Sequence, residues 1–461
     1  MSSTSTPGAE PSERRIRKHI HGKTHTFEIE CAPGFTELCK RWCDQLWSES
    51  PTHAKHPECA ALVKNGRLVI ENAPFDYCHD LLLRGQPFTD VKIQIFRGRC
   101  SNEDKLISHL NSIPWEIWIP QDKKIAWDLR IDSLRSQLYN EKKIKLLFHK
   151  FLEQRFARPS TTEDQDIALD LNLEREVLTV SLSLGGRNFW QRKQKESLSH
   201  AAPLREDIAA CLIIRMHELG VLWGLGHPPQ CVLNPFCGTG TLLHESALFL
   251  AHIGNMLDQS NTWSYPHLPF YKKAAFLDRE KRILNEVKQS FLESENLVTF
   301  RAEDLQPDCV SAAQEWFEST GIQNFMPHRA ESKCHNSVVP HPLDGLTIPR
   351  DNGLGWIVSN PPFGIRLSNN SQGGTENLYR DFAQRIASLS NTNSSMRPIE
   401  RLSWLGVVLC PNEDCWRIVQ RTLSNWQQKC EHFTLGGLDI RAVYFGHVVK
   451  GAASFAARDR I

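Results

Sequence analysis

The stretch Asn234-Pro235-Phe236-Cys237-Gly238-Thr239-Gly240-Thr241 constrains this chain more than any other. It follows a short apolar strand, Cys231-Val232-Leu233, and opens a helix-like run from Leu242 to Ile253. A strand, a glycine-rich turn and a helix in that order are the opening unit of an open, twisted α/β sheet. The glycines let the backbone approach a ligand closely, and a helix start offers free N–H groups. The spacing is not the Gly-x-Gly-x-x-Gly of dinucleotide folds. No Gly-Lys-Ser/Thr follows, so it is not a phosphate loop either.

A second motif sharpens the first. Ser359-Asn360-Pro361-Pro362-Phe363-Gly364 stands at the end of another apolar strand. The Asn360 side-chain carbonyl and the backbone carbonyl after it can each accept one hydrogen of a planar amino group. Pro361 and Pro362 fix φ and stiffen that carbonyl's direction. Phe363 offers a flat face for stacking. Such a pocket suits an exocyclic base amine whose lone pair attacks an electrophilic methyl. Asn360, Pro361, Pro362 and Phe363 are therefore the candidate catalytic residues.

At 461 residues the chain has room for about three domain-sized units. Its net charge of +1 builds no global basic field, so affinity for nucleic acid must come from local patches. No apolar run approaches the ~20 residues of a membrane span. The basic stretch Arg14 to Lys23 has no apolar segment after it and is not expected to act as a secretory signal. The 14 cysteines form no Cys-x-x-Cys pair, so the expectation is reduced thiols in a cytoplasmic protein and no metal site. Oligomeric state is left open.

Residues 1–24 read as a disordered basic tail. Alternating apolar positions predict strands over 27–30, 67–70, 91–96, 125–134, 167–173 and 177–184. Leu38, Trp42 and Leu46 predict a helix, as do Ile144, Leu147, Phe148, Phe151 and Leu152. Region 25–190 is thus a mixed α and β region. Region 191–461 carries both motifs, with an aromatic-rich insertion over 254–297 and a closing hairpin around Gly436-Gly437. Arg187, Arg192, Lys193 and Lys195 interleave with Phe189 and Trp190. Phosphate contacts mixed with stacking faces suit RNA. Arg187, Trp190, Arg192, Lys193 and Lys195 are the candidate RNA-binding residues.

From about Phe27 to Phe445 the chain resembles the THUMP-domain family of RNA guanine-N2 methyltransferases, in particular its bacterial 23S rRNA branch with a single methyltransferase half. Cys31-Ala32-Pro33-Gly34-Phe35-Thr36-Glu37-Leu38, Val180 to Gly186 and Ala202-Pro203-Leu204-Arg205-Glu206 carry the likeness, together with the two motifs above. The resemblance implies a ferredoxin-like and THUMP region over 25–190. It implies a class I, Rossmann-like α/β methyltransferase domain over 191–461. S-adenosyl-L-methionine would be held by Asn234, Pro235, Cys237, Gly238, Gly240 and Thr241. Phe300-Arg301-Ala302-Glu303-Asp304 resembles the family's next strand end, which makes Asp304 the acceptor for the ribose hydroxyls. Glu331, in a further segment resembling a strand end, would accept from the adenine amino group. Asn234 and Gln306 replace family acids, and Phe363 replaces the commoner Tyr. The implied product is N2-methylguanosine in large-subunit rRNA. The alternatives are tRNA guanine, other amino groups (adenine or glutamine), and a non-catalytic RNA-binding assembly factor.

Overall fold

A computed structural model describes residues 10–56, 58–64, 66–120, 125–156, 165–186, 189–191, 204–258, 263–292, 297–326, 328–334, 353–363, 374–389 and 402–448. The chain divides into two compact units, neither continuous in sequence. The first holds Met1–Ala32, Thr36–Gln191 and Gln259–Arg282; the second holds Pro33–Phe35, Arg192–Asp258 and Ile283–Ile461.

The first unit is an α/β sandwich on one seven-stranded sheet. Its elements are α1 (Glu10–Ile16), β1 (Thr24–Cys31), α2 (Thr36–Ser48), β2 (Ala60–Lys64), β3 (Arg67–Pro74), α3 (Tyr77–Leu83), β4 (Phe88–Arg99), α4 (Glu103–Ser112), α5 (Trp115–Trp118), β5 (Ile125–Leu134), α6 (Glu141–Phe156), β6 (Gln165–Glu174) and β7 (Val177–Ser183). The strand order is β2-β3-β1-β4-β7-β6-β5. Its first half, β1-α2-β2-β3-α3-β4, has the βαββαβ connection expected of a ferredoxin-like fold. Period-2 burial marks β1, where Phe27 and Ile29 are buried, while β4 and β7 bury consecutive residues, Asp90 to Ile93 and Val180 to Ser183. Asn102 caps α4 by accepting from the Lys105 N–H at 2.9 Å.

Two expectations fail in this unit. Residues 1–24 are not all tail, since Glu10–Ile16 is helical and Arg17–His21 forms a π-helical turn. Ile16 and Ile20 are buried, and the His21 ring hydrogen-bonds the Phe270 carbonyl at 2.9 Å. The boundary at 190/191 is also broken, because 259–282 of the insertion belongs to this unit. The reason is a buried joint. The His79 Nε2 lies 2.9 Å from the Tyr265 hydroxyl, which also accepts from the Lys272 N–H at 3.4 Å. Lys272 and Arg279 pair with Asp76 and Asp80, each at 2.7 Å.

That joint gives a pH prediction. Burial lowers the His79 pKa from 6.5 to about 4, and burial also lowers those of His21 and His25. A histidine kept neutral by the fold contributes stability above its unfolded pKa and loses it as pH falls toward the folded value. Stability should therefore decline between about pH 6.5 and pH 4, with His79 accounting for up to ~3 kcal/mol. Denaturant unfolding at pH 7.5 and 5.0 should show a smaller decline for His79→Gln than for wild type. An equal decline would remove His79 from this role.

The second unit is a doubly wound α/β domain. It contains α7 (Glu206–Leu222), β8 (Cys231–Asn234), α8 (Thr241–Leu250), the end of α9 (Lys273–Leu292), β9 (Val298–Asp304), α10 (Pro307–Ser319), β10 (His328–Cys334), β11 (Leu354–Ser359), α11 (Gly374–Ser388), β12 (Ser403–Cys410), α12 (Glu413–Thr422), β13 (Gln427–Leu435) and β14 (Leu438–His447). The order is β10-β9-β8-β11-β12-β14-β13. The first five neighbours run parallel, and β14 is antiparallel to both β12 and β13. This is the sheet expected for the class I methyltransferase fold, including its antiparallel final pair. Gly436 (φ +56°) and Gly437 (φ +84°) make the turn between the last two strands. One face of the sheet packs Ile357, Trp404, Val408 and Phe445 against Tyr379 and Phe382 of α11 and Cys415 and Val419 of α12.

Candidate active site

Strand order reverses between β8 and β11. To one side the chain winds on to β9 and β10; to the other it winds to β12. In such sheets the crevice beyond the carboxyl ends at the reversal is where ligands bind. Both sequence motifs leave from these two strands. Leu233 of β8 stands level with Ile357 of β11, and Asn234 with Ala302 of β9. The glycine loop, Asp304 and Asn360 therefore all emerge from the same edge of the sheet.

The glycine loop is built by short-range hydrogen bonds. The Asn234 carboxamide oxygen accepts from the Phe236 N–H at 3.2 Å, which starts the turn. A neutral amide does this as well as the acid it replaces. The Cys237 N–H donates to the Glu303 carbonyl at 2.8 Å, and the Gly240 N–H to the Cys237 carbonyl at 2.8 Å. Gly238 (φ +50°) and Gly240 (φ +84°) hold left-handed conformations that favour glycine. A Cβ at Gly238 would meet no described residue within 4 Å, so among the described residues open space lies beside the loop backbone. Thr239 and Thr241 are buried. The Cys237 thiol is buried as well, and burial, then the nearby Asp304 charge, pushes its pKa far up. It is no nucleophile.

Asp304 ends β9. One carboxylate oxygen accepts from the Gly238 N–H at 2.9 Å, the other from the Gln306 N–H at 3.1 Å. Asp304 thus ties the loop to the neighbouring strand. An ionised carboxylate has about four acceptor positions, so two remain for ligand hydroxyls. Glu331 is placed differently from the strand end expected of it. It pairs across β10 and β9 with Arg301, while Cys334, three residues on, stands level with Asp304. It lies 3.9 Å from Arg329. The strand runs on past Glu331, which sets its side chain on the sheet rather than beside Asp304.

Asn360 follows β11, with Pro361 buried, Phe363 half-buried and Pro362 exposed. The Asn360 side-chain oxygen is buried and has no hydrogen-bond partner among the described residues. An unmet acceptor in the interior costs ~1–3 kcal/mol, so its presence calls for a donor that arrives from outside. An amino group meets that need. Of the candidate RNA-binding residues, Trp190 is half-buried; Arg187, Arg192, Lys193 and Lys195 lie outside the described residues. Among the described residues no group of acids, cysteines or histidines is arranged to hold a metal, and no helix is long and apolar enough to cross a membrane.

The open space at Gly238, the spare acceptor positions of Asp304 and the alignment of both with Asn360 suit an S-adenosyl group placed against a target amine. Sequence reasoning missed His244 and Trp316, which support the loop from below. His244 is one of two histidines in the run Leu242 to Ile253, and nothing local sets it apart from His252.

Residues 193–399 match the family UPF0020, described as RMKL-like, methyltransferase domain. A ribosomal RNA large subunit methyltransferase K/L from Shewanella baltica (strain OS185) is 25% identical over 288 residues, 61% of this chain and 37% of that protein. The same enzyme from Shewanella sp. (strain W3-18-1) is 26% identical over 306 residues, 65% of this chain and 40% of that protein. The chain thus spans well under half the length of these curated relatives. Among solved structures, SMU.472, a putative methyltransferase complexed with SAH, superposes with a TM-score of 0.65 at 17% identity, covering 95% of this chain and 100% of that one. TrmN from Thermus thermophilus gives 0.57 at 16% identity, covering 92% and 99%. At such identities the likeness shows the fold. With the sheet order, the paired motifs and this match together, residues 193–399 are similar to the RMKL-like methyltransferase domain of UPF0020.

Proposed function

We propose that this protein is an S-adenosyl-L-methionine-dependent RNA methyltransferase acting on the exocyclic N2 amine of a guanine, in large-subunit rRNA. The carrying observation is the buried oxygen of Asn360, without a partner among the described residues, at the end of β11 next to the strand that carries the glycine loop. The cofactor supplies an electrophilic methyl on a sulfonium sulfur that leaves as a thioether. The chain's own groups do the rest. The Asn360 oxygen and the Pro361 carbonyl each accept one amino hydrogen. This draws the nitrogen toward a pyramidal shape and frees its lone pair for the methyl carbon. Phe363 stacks on the base, which must leave any duplex to reach it. Catalysis is then mainly positioning, an effect worth up to roughly 7–11 kcal/mol. The proton lost from nitrogen passes to solvent, so no covalent nucleophile is required.

Asp304 would hold the cofactor's ribose hydroxyls, and the loop at Gly238 to Thr241 would hold the rest of the cofactor. Calorimetric titration with S-adenosylhomocysteine should show binding that Asp304→Ala weakens by about 1–3 kcal/mol, the cost of unpaired hydroxyls. Unchanged affinity in a folded variant would take Asp304 out of the site.

The RNA is gripped by the ferredoxin-like and THUMP-like first unit. The relatives named above are large-subunit enzymes, and this favours rRNA over tRNA. The free cysteines suit a cytoplasmic, thiol-reducing setting. The full chain, supplied with a labelled methyl donor, should label large-subunit rRNA lacking the modification well above tRNA. Labelling of tRNA alone would move the substrate, and binding of rRNA without any labelling would make the protein an assembly factor.

A further inference from the structure

We infer that His244 is a positioning residue that sets the glycine loop for its ligand, an inference that rests on the cofactor reading above. His244 lies in the first turn of α8 and is 5% exposed. Its ring stacks on Trp316 of α10, with centroids 4.2 Å apart and planes 9° from parallel. Phe317 meets its edge at 5.8 Å, and Nε2 lies 3.4 Å from the Ala313 carbonyl. The ring is therefore fixed on α10 from two sides.

The loop rests on that ring. A Cβ placed on Gly240 would fall 2.5 Å from His244 Nε2 and 2.9 Å from the Ala313 Cβ. Gly240 is consequently glycine for two reasons, its φ of +84° and the ring beneath it. The other glycine of the loop is tied down separately, by the Asp304 carboxylate on the Gly238 N–H. Asp304 and Trp316 belong to one continuous segment, the end of β9 and α10. That segment grips the loop at two points, Gly238 through a carboxylate and Gly240 through an imidazole. Beside these two holds, the backbone of Gly238 faces the open space already noted. His244 touches no reacting atom in this arrangement. Its effect is to hold the loop in the binding conformation before the ligand arrives, which lowers the ordering cost of binding.

A histidine that only fills the core would lower stability on substitution without favouring one ligand over another. The test therefore separates the two. In the full chain, His244→Ala should raise the Kd for S-adenosylhomocysteine on the order of 10-fold. The KM for S-adenosylmethionine should rise in the same proportion, while kcat at saturating cofactor and the KM for RNA stay within about twofold. His244→Phe keeps a flat ring on Trp316 and should restore affinity to within about threefold of wild type. Gly240→Ala should lower the unfolding midpoint less in the His244→Ala background than alone, since its Cβ no longer meets the ring. Wild-type affinity in His244→Ala, or equal losses in both KM values, would overturn the inference. So would additive Gly240 and His244 effects, which remain measurable if His244→Ala is too unstable to assay for binding. If wild type itself fails to bind S-adenosylhomocysteine, the cofactor reading falls first, and the Gly240–His244 coupling still reports whether the ring supports the loop.

Discussion

Asn360→Ala should lower methyl-transfer turnover at least ~100-fold while leaving S-adenosylhomocysteine affinity within about threefold of wild type. The separation follows from where the groups stand. The loop and Asp304 belong to β8 and β9, whereas Asn360 leaves β11. Removing the side-chain amide takes away one of two acceptors for the amine and leaves the cofactor's contacts in place. Orientation and lone-pair alignment are lost together, so the loss falls on the chemical step. Because the Asn360 oxygen is buried without a partner among the described residues, its removal also relieves a desolvated acceptor. Asn360→Ala should therefore not lower the unfolding midpoint. A variant that is both inactive and much less stable would point to a structural role. Single-turnover kinetics beside thermal unfolding reads both.

The largest stability effect should come from the first unit. Lys92 on β4 is 6% exposed and pairs with Glu30 of β1 at 2.6 Å and with Asp170 of β6. Arg130 of β5 reaches Glu30 at 3.1 Å. Burial works against the Lys92 charge, but Asp170, Asp90 and Glu30 together outweigh it and hold its pKa above the usual lysine value. Burial raises the Asp90 carboxyl to about 7, against the opposing pull of Lys92. Lys92→Met would leave Asp170 and Asp90 without their central cation. Breaking a buried pair from one side costs about 3–5 kcal/mol. The full chain should show a loss of that size by denaturant unfolding, and Lys92→Arg should recover much of it. A change below ~1 kcal/mol would mean that solvent reaches the cluster and screens it.

What could be read from the sequence was what backbone chemistry fixes locally. Asn234 to Thr241 demands left-handed glycines between a strand and a helix, and Gly238 and Gly240 adopt them. Leu354–Ser359 ends at the Asn-Pro-Pro step as the apolar run predicts. The closing hairpin falls at Gly436-Gly437. What could not be read was held by distant partners. Tyr265 meets His79 across 186 positions of sequence. No local pattern says that 259–282 serves the first unit. The short β2, with only Ala61 buried, has no alternation to detect. Helix α1 is short, and Ile16 and Ile20 anchor a segment whose other residues look like a tail. Glu331 was matched to a strand end, yet register depends on pairing with β9. Asp304 is legible in the sequence as a candidate ligand acceptor; its bond to the Gly238 N–H, which ties the loop to β9, is visible only in the fold.

The central claim is that the chain places a guanine N2 amine between Asn360 and a methyl donor. The most direct measurement is mass spectrometry of nucleosides from unmodified large-subunit rRNA after incubation with purified full-length protein and S-adenosylmethionine. Wild type should yield N2-methylguanosine and Asn360→Ala none. Methyl on a ring carbon, on a ribose or on adenine, or equal N2-methylguanosine from the Asn360→Ala protein, would contradict it.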